Sequence, residues 1–142
     1  MTTVKHLLDR KGTQIYAVKP DDPVLGAIEL MAERHIGALL VMRGHELVGI
    51  ISERDYARKV ILKQRSTEKT LVSQIMTETV TTVSPSHTVT ECMQIVTDQR
   101  VRHLPVVSEG KVVGVVSIGD LVKAVIEEQQ QQIEQLERYI TS

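Results

Sequence analysis

The sequence predicts an α+β protein built from two β-α-β-β-α repeats packed with pseudo-twofold symmetry. The first observation behind this is an echo: residues 16–61, moved forward by 65 positions, land on residues 81–126 without a gap. Val18-Lys19-Pro20 meets Val83-Ser84-Pro85, and Gly49-Ile50-Ile51-Ser52-Glu53-Arg54-Asp55 meets Gly114-Val115-Val116-Ser117-Ile118-Gly119-Asp120. The second is that each copy carries two β-branched runs separated by a Gly-containing turn. The third is an apolar helical face ahead of those runs in both copies. A fixed offset with matched punctuation marks a structural unit that packs against its own copy. Such a body has two equivalent clefts.

The elements follow in order. Val4, Leu7 and Leu8 sit at helical spacing in a short opening segment that ends at Gly12. Ile15–Val18 reads as a strand. Asp22-Pro23 reads as a helix start, with Asp capping free N–H groups and Pro in the first position. Val24, Ala27, Ile28 and Met31 then form one apolar face, to about Arg34. Ala38–Met42 and Leu47–Ile51 read as a hairpin across Arg43-Gly44-His45-Glu46. A helix from Asp55 to about Lys63 closes the copy.

The second copy repeats the plan. Val80–Val83 reads as a strand and Thr88-x-x-Glu91 as a capping box. Val89, Cys92, Met93 and Val96 supply the helix face. Leu104–Val107 and Val112–Val116 pair across Glu109-Gly110, and a helix runs from Asp120 into the tail. The predicted organisation is an N-terminal helical segment (1–12), repeat 1 (13–63), a polar linker (64–75), repeat 2 (76–126) and a helical tail (127–142). In the tail, Ile126, Ile133 and Ile140 are seven apart, with Leu136 at a d-type position. That pattern reads either as an exposed helical end or as a short seam in an oligomer.

Composition narrows the function. Each half, at roughly 60 residues, would bury only ~60% of its unfolded surface, so the halves need each other. Phe and Trp are absent and Tyr occurs only at 16, 56 and 139, which leaves no aromatic platform for single-stranded nucleic acid. Lys+Arg at 17 against Asp+Glu at 18 provides no field for DNA or an anionic membrane. No apolar run approaches the ~18 residues of a membrane span. The N-terminus lacks the layout of a signal peptide. A lone Cys92, placed on an apolar helix face, fits a reducing cytoplasm.

The chemistry concentrates at Ser52-x-x-Asp55 and Ser117-x-x-Asp120, each straddling a strand-to-helix turn. Serine at a helix start can hold a phosphate oxygen together with free backbone N–H groups. Aspartate there offers two acceptor oxygens, suited to a ribose diol. The same pattern is also an ordinary N-cap, worth ~1 kcal/mol. The two roles can coexist.

On these residues the chain resembles a tandem pair of CBS domains, a Bateman module. Val-x-Pro opening each copy, Met76-Thr77 and Arg102-His103-Leu104-Pro105-Val106-Val107 also match. The resemblance implies head-to-tail packing of the repeats, dimerisation into a flat disc, and adenosyl ligands in the clefts: AMP, ADP, ATP, NAD(H) or S-adenosylmethionine. It implies a second cleft with Asp120 on ribose, Ser117 on phosphate or ribose, Arg102 and His103 near phosphate, and Thr13, Gln14, Ile15 and Tyr16 lining the base. His103 reads equally as a solvated residue ahead of a strand. The first cleft would use Ser52 and Asp55, with Thr77 to Val80 lining the base. There Gly37-Ala38 stands where Arg102-His103 stands in its twin. Phosphate charge would have to come from Arg54, Arg58 or Lys59, so the two clefts are expected to differ.

No zinc spacing, P-loop, G-x-S-x-G or G-x-G-x-x-G occurs, and Ser and Asp three apart lack the logic of a triad. The expectation is a non-enzymatic, stand-alone, cytoplasmic adenine-nucleotide sensor. It would have no catalytic cofactor and no metal, and would signal to a regulated partner through a change in packing. The alternative is an interaction protein with vestigial clefts that acts through its C-terminal helix.

Overall fold

In the computed structural model the described residues are 1–141; Ser142, the last residue of the predicted tail, lies outside them. They form two compact units, one of residues 15–81 and the other of residues 1–14 with residues 82–141. Their secondary structure confirms the mixed α+β class.

In the unit of residues 15–81, β1 (Ala17–Val18) pairs in parallel with β2 (Ala38–Arg43), and β2 pairs antiparallel with β3 (Glu46–Ser52). Helix α2 (Val24–Arg34) lies between β1 and β2 in sequence. It ends at His35 in the left-handed region, φ 55°. Asp22 does not cap α2, contrary to expectation. Its carboxylate accepts from the Lys19 N–H at 2.9 Å, closing a turn, and Pro23 takes the N-cap place with no side-chain bond. After β3 come α3 (Glu53–Tyr56) and a π-helical turn (Ala57–Ile61), in place of one regular helix. The widened turn draws Val60 fully inside while Ile61 and Leu62 stay exposed. The predicted linker is not all loop: α4 (Val72–Ile75) lies within it and buries Val72 and Ile75 among Val24, Ala27, Met31, Leu39, Val41, Ile51 and Val60.

In the other unit, α5 (Val89–Gln99) precedes the antiparallel pair β4 (His103–Ser108) and β5 (Lys111–Ser117), and α6 (Ile118–Thr141) follows. Thr88 caps α5 in the predicted box, accepting from the Glu91 N–H at 3.0 Å while Glu91 accepts from the Thr88 N–H at 2.9 Å. The predicted strand Val80–Val83 shrinks to one parallel bridge, Val83 with Val106. The opening helix α1 (Val4–Lys11) is capped by Thr3 and stops at Gly12, φ 96°. It packs Val4, Leu7 and Leu8 into the core of Val89, Cys92, Val96, Leu104, Val106, Val116 and Leu121.

The 65-residue echo survives in three dimensions. The strands, the left-handed caps His35 and Arg100, and the irregularities after Val41 and after Val106 all fall at that offset. The helices that seal the two cores repeat at a different one. Val4, Leu7 and Leu8 correspond to Val72, Ile75 and Met76, 68 positions on. Leu8 lies where a Cβ on Gly114 would stand, 2.7 Å away, and Met76 does the same against Gly49. The glycine in each strand is thus required by the close approach of a sealing helix.

Candidate functional site

Each Ser-x-x-Asp folds as a capping box. Strand β3 ends at Ser52 in extended geometry, and the Asp55 N–H donates to Ser52 Oγ at 3.1 Å. Ser52 returns its N–H and hydroxyl to Asp55 Oδ2 at 2.9 and 3.0 Å. At the end of β5, the Asp120 N–H donates to Ser117 Oγ at 3.1 Å and the Ser117 N–H to Asp120 Oδ2 at 2.8 Å. The residues ahead of β2 and β4 are tied to these turns. The Glu53 N–H donates to the Gly37 carbonyl at 3.0 Å, and the Ile118 N–H to the Arg102 carbonyl at 2.8 Å. Across the strands Ala38 stands opposite Ser52, and His103 opposite Ser117. Arg102, His103, Ser117 and Asp120 are therefore brought together, as are Gly37, Ala38, Ser52 and Asp55.

The two aspartates differ in what surrounds them. Asp55 is committed on both oxygens. Besides Ser52, its Oδ1 takes the Thr77 hydroxyl at 3.3 Å and Lys59 Nζ at 3.1 Å, and its side chain is 12% exposed. Thr77 is held there by paired backbone bonds with Ile50 at 2.8 and 3.0 Å. Lys59 also donates to the Ile75 carbonyl at 2.9 Å, so it serves the turn rather than standing free for phosphate. Asp120 is more open, with 26% side-chain exposure. Lys11 Nζ reaches its Oδ2 at 2.6 Å and the Val115 carbonyl at 2.8 Å. Its Oδ1 accepts no protein hydrogen bond among the described residues. Burial alone would raise the Asp120 carboxyl, but the Lys11 ammonium and the Ser117 N–H outweigh it and hold the group below its ordinary value.

Around Asp120 lies a cavity of about 110 Å³, whose lining includes Arg10, Lys11, Lys123 and Glu127. Arg10 is paired with Glu127. Thr13 and Gln14 follow α1 as exposed chain, and no hydrogen bond joins them to Ser117 or Asp120. Ile15 and Tyr16 belong to the other unit, where the Arg34 guanidinium sits 5.2 Å from the Tyr16 ring centre. Arg54 and Arg58 are exposed on α3 and the π turn, and Val80 is half-buried. No group of His, Cys, Asp and Glu suited to a metal occurs among the described residues. Lys11 went unnoticed in the sequence. The signal that would have found it is the match of Val4-x-x-Leu7-Leu8 with Val72-x-x-Ile75-Met76, which places α1 against a strand-helix turn.

A body of two repeats, each ending in a strand-to-helix Ser-x-x-Asp turn, is the architecture of a CBS-domain pair. The CBS domain family model matches residues 4–62 and again residues 72–127, and the chain belongs to that family. It is 40% identical over 148 aligned positions to the CBS domain-containing protein CBSX3, mitochondrial, of Arabidopsis thaliana, covering 98% of this chain and 72% of the relative. It resembles the structure of a putative signal-transduction protein with CBS domains from Burkholderia ambifaria, with 53% identity and TM-score 0.87 over 90% of this chain and 96% of that one. A third likeness is to the CBS domain pair of protein MJ0100, solved in complex with 5′-methylthioadenosine and S-adenosyl-L-methionine. There the identity is 25% and the TM-score 0.77, over 87% of this chain and 99% of the other.

Proposed function

We propose that the protein is a non-catalytic regulatory module that binds an adenine nucleotide or related adenosyl ligand and signals by a ligand-dependent change in packing. The observation that carries this is the Asp120 turn. There a carboxylate with 26% side-chain exposure keeps one oxygen without a protein donor among the described residues, next to Ser117 and a cavity lined by Arg10, Lys11 and Lys123. A diol donates two hydroxyls to such a carboxylate, and a phosphate is met by the cations. The adenosyl ligands held by the MJ0100 pair support the same class of ligand. In this reading Ser117 and Asp120 take ribose and phosphate, Arg102 and His103 face phosphate, and Thr13 and Gln14 line the base. The Asp55 turn, with Gly37, Ala38, Ser52, Arg54, Arg58, Thr77 and Val80, is the weaker site, because both Asp55 oxygens are already engaged.

A thermal-shift panel of AMP, ADP, ATP, NAD and S-adenosylmethionine tests the reading. A ligand at 100 times its Kd adds ~2.7 kcal/mol of stability, several degrees in Tm. A flat panel would sink the sensor reading. The module would act as a homodimer on a regulated partner protein, in a reducing compartment such as the cytoplasm, a placement supported by the buried free thiol of Cys92.

One observation favours a second reading, an interaction protein working through α6. Ile126, Ile133, Leu136 and Ile140 are 59, 48, 63 and 78% exposed along one heptad stripe. Isoleucine at a and leucine at d suit a two-stranded seam. Deleting residues 129–142 separates the readings: it abolishes assembly or partner capture in the second and leaves ligand-induced Tm shifts intact in the first.

A further inference from the structure

We propose that Lys11 is a specificity-determining residue that makes the Asp120 site select anionic adenosyl ligands over neutral or cationic ones. This rests on the function proposed above and assigns that site its charge preference. Lys11 arrives from the last turn of α1, and its ammonium is shared between Asp120 Oδ2 and the Val115 carbonyl. A ribose diol engaging Asp120 competes for that carboxylate. The Val115 carbonyl then keeps the ammonium in place while its hydrogen bond to Asp120 is weakened. A phosphate gives the ammonium a second anionic partner, whereas an uncharged 5′ group offers none and a sulfonium adds another positive charge beside it.

The surroundings push the same way. Lys123 lines the same cavity with no ion pair among the described residues, and Arg10 is already matched by Glu127. The lining carries three cations, Arg10, Lys11 and Lys123, against the two carboxylates of Asp120 and Glu127. The Asp55 turn lacks this device. Lys59 comes from the helix that the turn itself begins and is tied to the Ile75 carbonyl, and Thr77 fills the remaining acceptor position. The two sites are distinguished by where their lysine originates.

The test is calorimetry of AMP and of adenosine, which differ only in the phosphate, on the full chain and on Lys11→Met and Lys11→Arg. The wild type prefers AMP. Lys11→Met weakens AMP by about tenfold, the loss of one hydrogen bond to a charged group, and leaves adenosine unchanged or tighter. Lys11→Arg retains the preference. An equal loss for both compounds in Lys11→Met, or no loss for AMP, overturns the assignment while leaving the sensor reading intact. Failure of both compounds to bind the wild type overturns the sensor reading and the assignment with it. Should Lys11→Met not fold, the wild-type ratio decides: equal affinities for AMP and adenosine at low salt overturn the proposal.

Discussion

Lys11 and Asp120, 109 positions apart in the chain, form an ion pair at 2.6 Å, in which the lysine belongs to α1 and the aspartate to the first turn of α6. The pair ties the opening helix to the turn that carries the candidate site. It also explains why Asp120 stays ionised although partly buried. With its folded-state pKa depressed, Asp120 contributes stability that is present above its unfolded value of ~3.9 and is lost as pH falls through the lower folded value. Lys11→Met is therefore expected to destabilise the protein at pH 7 by no more than ~1 kcal/mol, because the lysine is over a third exposed. Urea melts at pH 7 and pH 3 should show the difference from wild type shrinking at the lower pH. A difference that persists at pH 3 would assign the effect to packing.

The two motif aspartates should separate stability from binding. Asp55→Ala strips the acceptor from Ser52, Thr77 and Lys59 and is expected to cost about 1–3 kcal/mol in denaturant melts. Asp120→Asn keeps the shape of the turn and is expected to cost less, yet to remove the AMP-induced rise in Tm. An unchanged rise in Asp120→Asn, with its loss in Asp55→Ala, would place the ligand at the other turn.

Glycine at the two equivalent strand positions is not equally replaceable. A Cβ on Gly49 meets Met76 Sδ at 2.7 Å and the Thr77 carbonyl oxygen at 3.0 Å, and that carbonyl is held by the Ile50 N–H. For a Cβ on Gly114 the three nearest atoms all belong to the Leu8 side chain, the closest at 2.7 Å, and Leu8 can rotate. Gly49→Ala should lower stability by roughly 1–3 kcal/mol, and Gly114→Ala by less. Thermal melts giving the reverse order would contradict the close-approach account.

Cys92 should be chemically silent. It is fully buried on α5, and burial, with the neighbouring Glu91 charge, pushes its thiol up to about 11. Since the thiolate is the reactive form, a thiol reagent at pH 7.5 should label the native protein only as fast as the core opens. Rapid stoichiometric labelling without denaturant would show that α5 is loosely packed.

Much of this was legible in the chain because the repeat imposes the same local rules twice. Hairpins at Gly44 and Gly110, the Thr88 box and the Ser-x-x-Asp caps are short-range devices, set by backbone sterics and nearby donors. What was missed is mostly long-range. The exception is Asp22, whose carboxylate turns back to the Lys19 N–H three residues away, a local turn that competes with helix capping for the same oxygen. A polar stretch such as 64–70 also obscures the brief helix behind it, whose Val72 and Ile75 have meaning only once a core exists to receive them. The same holds for the site: the aspartates and Lys59, four residues beyond Asp55, could be read, but Lys11 depends on α1 coming to lie against the Asp120 turn.

The division into units has a consequence for biogenesis. Residues 15–81 contain all the residues of their own core, so its apolar positions are all present before the rest of the chain has been synthesised. The other unit joins residues 1–14 to residues 82–141, and α1 must stay unsealed until Leu104, Val116 and Leu121 have been made. Its contact order is high, which slows assembly and exposes Val4, Leu7 and Leu8 in the interim. Cutting the gene at the boundary between sequence repeats would leave the second fragment without the helix that closes it and the first with a hydrophobic end that has no place to dock.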